Sequence, residues 1–232
     1  MLGSHLGRNR TTPSIGAHVS ARFVGESFGH GFDTNSYVVF DEDSLDAVIV
    51  DPGKGSTRWL LPAVASIGVR VHGVLLTHGH MDHSWDAQPL SDELDVPVYV
   101  GASDLQLLVE PESGLPPDFP SHALVGYPRQ LPKNVFALPG PEIHAGNLHV
   151  TAHAVPGHTA GSFAYLIGID AELLCSGDSY FASSPPQAIA PTGDPRALRE
   201  SLDKLVTAGI GTHVILPGHG PVFTGAQEDL GS

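Results

Sequence analysis

The chain is predicted to be a mixed α/β (α+β) protein, and three observations predict it. Apolar runs of strand length recur along it, such as AVIV at 47–50 and GVLL at 73–76. Segments with helical spacing lie between them, so strands and helices intermix from end to end. No apolar run reaches the roughly 18 residues of a membrane-spanning helix.

The elements follow in order. Residues 36–40 (SYVVF) and 47–51 (AVIVD) read as strands around a DEDSLD turn, and the second runs into the turn signal Asp51-Pro52-Gly53. A helix is expected over 56–67: Ser56 can cap it, and Trp59, Leu60, Ala63, Val64 and Ile67 form its apolar face. VHGVLL at 71–76 reads as a buried strand, followed by a short helix from about Ser84 to Leu94. VPVYV at 96–100 is a strand, and SDLQLLVE is a helix from Ser103. Residues 111–132 are rich in Pro and Gly and read as a long loop, either a cover over a site or a surface excursion.

Strands are expected at 148–155, 163–169 and 172–175. A helix then opens on Asp194 as N-cap with Pro195 at its first position. Leu198, Leu202, Leu205 and Val206 make its apolar stripe, and Gly209 stops it. The last strand is 213–216.

Composition narrows the function. A chain of 232 residues can bury a sizeable core. Its net charge of −14 repels phosphate backbones, which argues against a nucleic-acid partner. The single cysteine, Cys175, cannot form an intrachain disulfide and is expected to be a buried thiol. With no secretory pattern at the N-terminus, this fits a cytoplasmic protein with neither membrane nor nucleic acid as partner. Residues 1–16 are expected to be an N-terminal tail or an added leader, since Gly3-Ser4-His5 has that character.

The chemistry concentrates in THGHMDH, where His78, His80, Asp82 and His83 crowd one turn after a strand. For this composition H-x-H-x-D-H arises by chance with a probability of about 0.3 %, so accident is a poor account of it. His158 in VPGH, Asp178 in CSGD and His219 in LPGH also follow strands. If those strands are neighbours, the seven side chains converge on one sheet edge, where α/β folds place ligands. Seven nitrogen and oxygen donors are too many for one tetrahedral zinc. They suit two divalent ions sharing a bridge: zinc first, with iron or manganese as alternatives. The repeated P-G-H hints at two related halves facing one site.

THGHMDH after a strand, then PGHT, SGD and PGHG, with Asp51 in VDPG ahead of them, resembles the metallo-β-lactamase fold hydrolases over roughly residues 30 to 222. The resemblance implies a four-layer αβ/βα sandwich, with residues 17–232 as a single domain. It implies that His78, His80 and His158 hold one metal, that Asp82, His83 and His219 hold the other, and that Asp178 bridges them. Asp82 would also accept or orient the proton of the nucleophile, a metal-bridging hydroxide that attacks a carbonyl. Asp51 would fix a ligand imidazole from behind.

Within that family the chain is most similar to the glyoxalase II-like (hydroxyacylglutathione hydrolase-like) group, which implies a small-molecule thioester substrate. Two departures bear on glutathione. The chain stops shortly after His219, without the glutathione-binding C-terminal helical region of larger members. GDSYF is also not followed by their G-R-x-D element. A lactone or β-lactam hydrolase, a mono-iron persulfide dioxygenase and a non-catalytic metal-binding protein are the other readings. The terminal PGHG favours a two-metal hydrolase over the oxygenase, and His80, where the family's iron flavoproteins carry Glu, sets the chain apart from those. Substrate choice is expected to lie in the 111–132 and 181–193 segments.

Overall fold

The computed structural model describes residues 21–28, 32–138, 142–168, 173–182, 188, 191–210 and 214–224. The expected tail at 1–16, the tips of three expected strands (169, 172 and 213) and much of 181–193 lie outside them.

Each half of the chain builds one six-stranded sheet in sequence order. The first contains β1 (Ala21–Phe28), β2 (Thr34–Asp41), β3 (Asp46–Val50), β4 (Arg70–Leu75), β5 (Val98–Val100) and β6 (Val135–Ala137). Its first three strands are antiparallel, and pairing is parallel from β3 to β6. The second contains β7 (Glu142–Ala145), β8 (Leu148–Ala154), β9 (Phe163–Ile167), β10 (Leu173–Gly177), β11 (Val214–Pro217) and β12 (Phe223–Thr224). There only β10 and β11 are parallel. Parallel neighbours need crossovers. These are α1 (Thr57–Ile67), then α2 (Met81–Ser84) with α3 (Ala87–Leu94), then short 3₁₀ turns between β5 and β6, and α4 (Pro195–Thr207) in the second half.

Period-two alternation sorts the core into layers. Val39, Val48, Val50 and Leu75 face the other sheet and pack with Val150, Tyr165, Ile167, Cys175 and Leu216. Their neighbours Val38, Ala47, Ile49, Val74 and Leu76 face outward onto Leu60 of α1 and Leu90 of α3. Across the molecule Ala164, Leu174 and Ile215 face Leu205 of α4. The result is helix, sheet, sheet, helix, the four layers expected. A slip of one residue in any central strand would exchange its two faces, so burial on both sides fixes the register. Cys175 is fully buried between the sheets, and burial pushes its thiol well above the usual range.

Several elements differ from expectation. Ser56 does not cap α1, because its own backbone is already helical. Asp86 does so instead, accepting the N–H of Thr57 at 2.9 Å and its hydroxyl at 2.8 Å. The helix expected from Ser84 begins earlier, at Met81 within the motif, and breaks before Ala87. SDLQLLVE forms 3₁₀ turns over Ala102–Leu108, with Asp104 turned into the interior. The strand at 96–100 shortens to β5 because the Val96 N–H bonds Ser91 and Pro97 has none to give. Strands β1, β6, β7 and β12 were not expected. Asp194 caps α4 as foreseen, accepting from the N–H groups of Arg196 and Ala197. No helix among the described residues is long and apolar enough to cross a membrane.

Candidate metal centre

The candidate side chains gather beyond strand ends or on the short helix that follows one, on one edge of the two sheets. β3 leads into Asp51, and β4 leads into Thr77 and His78. Asp82 and His83 ride on α2, and His158 lies in the β8–β9 turn. Asp178 follows β10 and His219 follows β11. The last turn is stitched to the first sheet: Asn35 donates its backbone N–H to Gly218 and its side-chain amide to Pro217 and Gly220. Tyr37 donates its hydroxyl to Pro217 at 2.8 Å.

All seven residues come together. Donor atoms of His78, His80 and His158 lie within 4.8 Å of one another, as do those of Asp82, His83 and His219, and those of His78, His83 and Asp178. In the first set His80 Nδ1 is 3.1 Å from His78 Nε2 and 2.9 Å from His158 Nε2. In the second His83 Nε2 and His219 Nε2 are 3.3 Å apart, and Asp82 Oδ2 lies 3.5 Å and 3.4 Å from them. Asp178 spans the two, 3.6 Å from His158, 3.5 Å from His83 and 3.4 Å from His219. Two imidazole nitrogens on one tetrahedral zinc stand about 3.3 Å apart, so the spacing fits an ion in each set.

The outer nitrogens make the same point. His83 Nδ1 donates to Asp51 Oδ2 at 3.1 Å and His219 Nδ1 to the Asp33 carbonyl at 3.2 Å. His80 Nε2 meets the Thr192 hydroxyl at 3.1 Å. His78 Nδ1 meets the Thr77 hydroxyl, which itself donates to Asp51. An oxygen behind the ring leaves the inward nitrogen unprotonated, which is how ligand histidines are held. Asp178 Oδ1 is buried with no hydrogen bond, as an oxygen reserved for a cation would be.

Charge divides the centre. Burial, then neighbouring imidazoles, hold His78 well below its ordinary range and His80 at about 4. Burial opposes protonation of His83 too, but Asp82, Asp178 and Asp51 outweigh it and raise it to about 9. His219 is likewise pushed past its burial to about 11 by Asp178 and Asp82. The three-histidine side offers neutral imidazoles, and the carboxylate side attracts positive charge.

Thr34, Thr77, Asp104 and Thr192 also serve this edge; Thr77 opens the THGHMDH motif, and no sequence motif announces the other three. The Thr34 hydroxyl reaches Asp82 at 3.2 Å. Asp104 ties the His78–His80 loop to the His158 turn. The 111–132 segment is packed down rather than loose. Leu124 and Tyr127 bury against Met81 and Trp85, with Phe32, Leu115 and Phe119 alongside. The Tyr127 hydroxyl lies 2.7 Å from Ser84 Oγ, and Gly114 closes on the ring of His80.

Comparison with known proteins places the chain. Residues 30–219 match the model of the metallo-β-lactamase superfamily, and the chain belongs to that family. An uncharacterised protein of Mycobacterium tuberculosis is 36 % identical over 201 residues, covering 84 % of this chain and 89 % of its own. The hydroxyacylglutathione hydrolase GloC of Haemophilus influenzae is 26 % identical over 197 residues, covering 85 % and 90 %. Among solved structures, the BLEG-1 B3 metallo-β-lactamase superposes with a TM-score of 0.74 at 25 % identity, covering 88 % of this chain and 94 % of that one. The superfamily consists mostly of metal-dependent hydrolases and uses dinuclear metal sites, and this chain carries matching His/Asp clusters.

Proposed function

We propose that the chain is a dinuclear metal-dependent hydrolase acting on a small-molecule thioester in the cytoplasm, without nucleic-acid or membrane partners. In this reading His78, His80 and His158 hold one ion, Asp82, His83 and His219 hold the other, and Asp178 joins them. Zinc suits the nitrogen and oxygen donors. Bound ions would polarise a carbonyl and lower the pKa of a water from 15.7 to about 7.

The chain's own groups supply the remainder. Asp82, steadied by the Thr34 hydroxyl, is ionised beside the centre and takes the proton of the attacking water. In the ion-free chain His83 and His219 hold that carboxyl low against burial, and with both as neutral ligands a bound ion would supply that positive charge. Asp51 and Thr77 hold His83 and His78 in the tautomers that face inward. Cys175 is sealed between the sheets, so it forms no acyl intermediate.

The observation that carries the hydrolase reading is the approach of Asp178 to nitrogens of both histidine sets. The thioester preference draws on the likeness to GloC. The likeness to BLEG-1 favours a β-lactam or lactone as second reading. Metal analysis with parallel turnover of lactoylglutathione, a simple acyl thioester, a homoserine lactone and a cephalosporin separates them. Two ions per chain and fastest thioester cleavage are expected. Faster lactone or cephalosporin cleavage overturns the substrate class. One iron with oxygen uptake overturns hydrolysis in favour of a persulfide dioxygenase.

A further inference from the structure

Asp104 is 1 % exposed and belongs to neither histidine set. Its carboxylate accepts three hydrogen bonds. Oδ2 takes the Gly79 N–H at 2.8 Å and the Thr159 hydroxyl at 2.6 Å, and Oδ1 takes the Gly161 N–H at 2.8 Å. Gly79 stands between His78 and His80, and Thr159 directly follows His158. These loops extend from different sheets, so one side chain spans the gap between the sources of the three histidines.

The packing leaves little slack. A Cβ on Gly79 would lie 2.9 Å from the Asp104 Cβ, and one on Gly161 would lie 2.6 Å from its carboxylate. The other set is anchored by different groups: Thr34 on Asp82, Asp51 on His83 and the Asp33 carbonyl on His219.

We propose that Asp104 is a positioning residue for the three-histidine ion site alone, setting the distance between the His78–His80 loop and the His158 turn. The inference rests on the two-ion reading above. A carboxylate is required because two of its partners are backbone N–H groups, which can only donate. An amide in its place would aim an NH₂ at one of them and leave a buried donor unpaired.

Stepwise Zn²⁺ titration against a competing chelator, on the purified full chain, tests this. The variants are Asp104→Asn, Thr159→Val and Thr159→Ser, with His219→Ala marking the equivalent that the three histidines keep. Asp104→Asn and Thr159→Val are expected to weaken that equivalent by about 10–100-fold and the other by less than about threefold, while Thr159→Ser stays within about threefold of wild type. Equal weakening of both equivalents, no weakening, or a Thr159→Ser variant as poor as Thr159→Val overturns the proposal. Should Asp104→Asn fail to fold, the Thr159 pair decides. A wild-type chain that takes up fewer than two equivalents overturns the two-ion reading instead, which is a different result.

Discussion

Asp51 Oδ2 lies 3.1 Å from His83 Nδ1 and accepts the Thr77 hydroxyl at 2.7 Å, while that hydroxyl meets His78 Nδ1 at 3.1 Å. One oxygen therefore orients a ring in each histidine set, directly in one and through Thr77 in the other. Asp51 does this from a backbone at φ +48°, a conformation that costs a non-glycine residue about 1–3 kcal/mol. The Thr77 N–H bonded to its other oxygen helps hold it there.

Asp51→Asn keeps the shape but turns one acceptor into a donor. Both zinc equivalents are expected to weaken by about 10–100-fold. Calorimetric titration checks this, and unchanged affinity at both sites contradicts the shared-oxygen argument.

Among the described residues no backbone N–H donates to Asp178, and its Oδ1 is buried without a hydrogen bond. Asp178→Ala should therefore harm ion binding more than folding. The second equivalent is expected to fall by about 10-fold or more, with the thermal midpoint of the metal-free chain little altered. A variant that retains two ions as tightly as wild type removes Asp178 from the bridge.

The two P-G-H turns need glycine for different reasons. A Cβ on Gly218 would run into Asp178 Oδ1 and lie 2.6 Å from His83 Cε1. Gly157, at φ +145°, would drive a Cβ into the Leu198 backbone of α4. Gly218→Ala is thus expected to leave the circular dichroism unchanged and abolish tight zinc uptake. Gly157→Ala is expected to cost about 1–3 kcal/mol in urea unfolding. The reverse pattern would refute both assignments.

Asp46 supplies an acid-sensitive clamp between the sheets. The Asn147 N–H from the second sheet, then His72 and Arg70, hold its carboxyl well below the usual range against the effect of burial. Because the folded state prefers the ionised form, the stabilisation is present above the unfolded value of about 3.9 and is lost as pH falls towards the folded one. Asp46→Asn should cost about 1–3 kcal/mol at pH 7 and progressively less below pH 4. Urea unfolding at both pH values checks it, and an equal loss at each argues against a charged clamp.

Much of the centre was legible because its signals are local. H-x-H-x-D-H puts four donors into one turn, and P-G-H at two strand ends marks the remaining histidines. Asp194 caps α4 through N–H groups two and three residues away, so a short window contains the whole interaction. Central strands such as β3, and the second half of β4, were readable because burial on both faces demands continuous apolar side chains.

Of the groups that aim the candidate ligands, Asp51 was legible from VDPG, and the others were not. Asp86 caps α1 from 29 residues away, and Thr192 reaches His80 across 112. Edge strands β6, β7 and β12 are two to four residues long and depend on the neighbours they pair with. Propensity and spacing act over a few residues, so they select strands, caps and donor types. The orientation of each imidazole depends on oxygens that meet it only once two sheets from opposite halves of the chain have packed together.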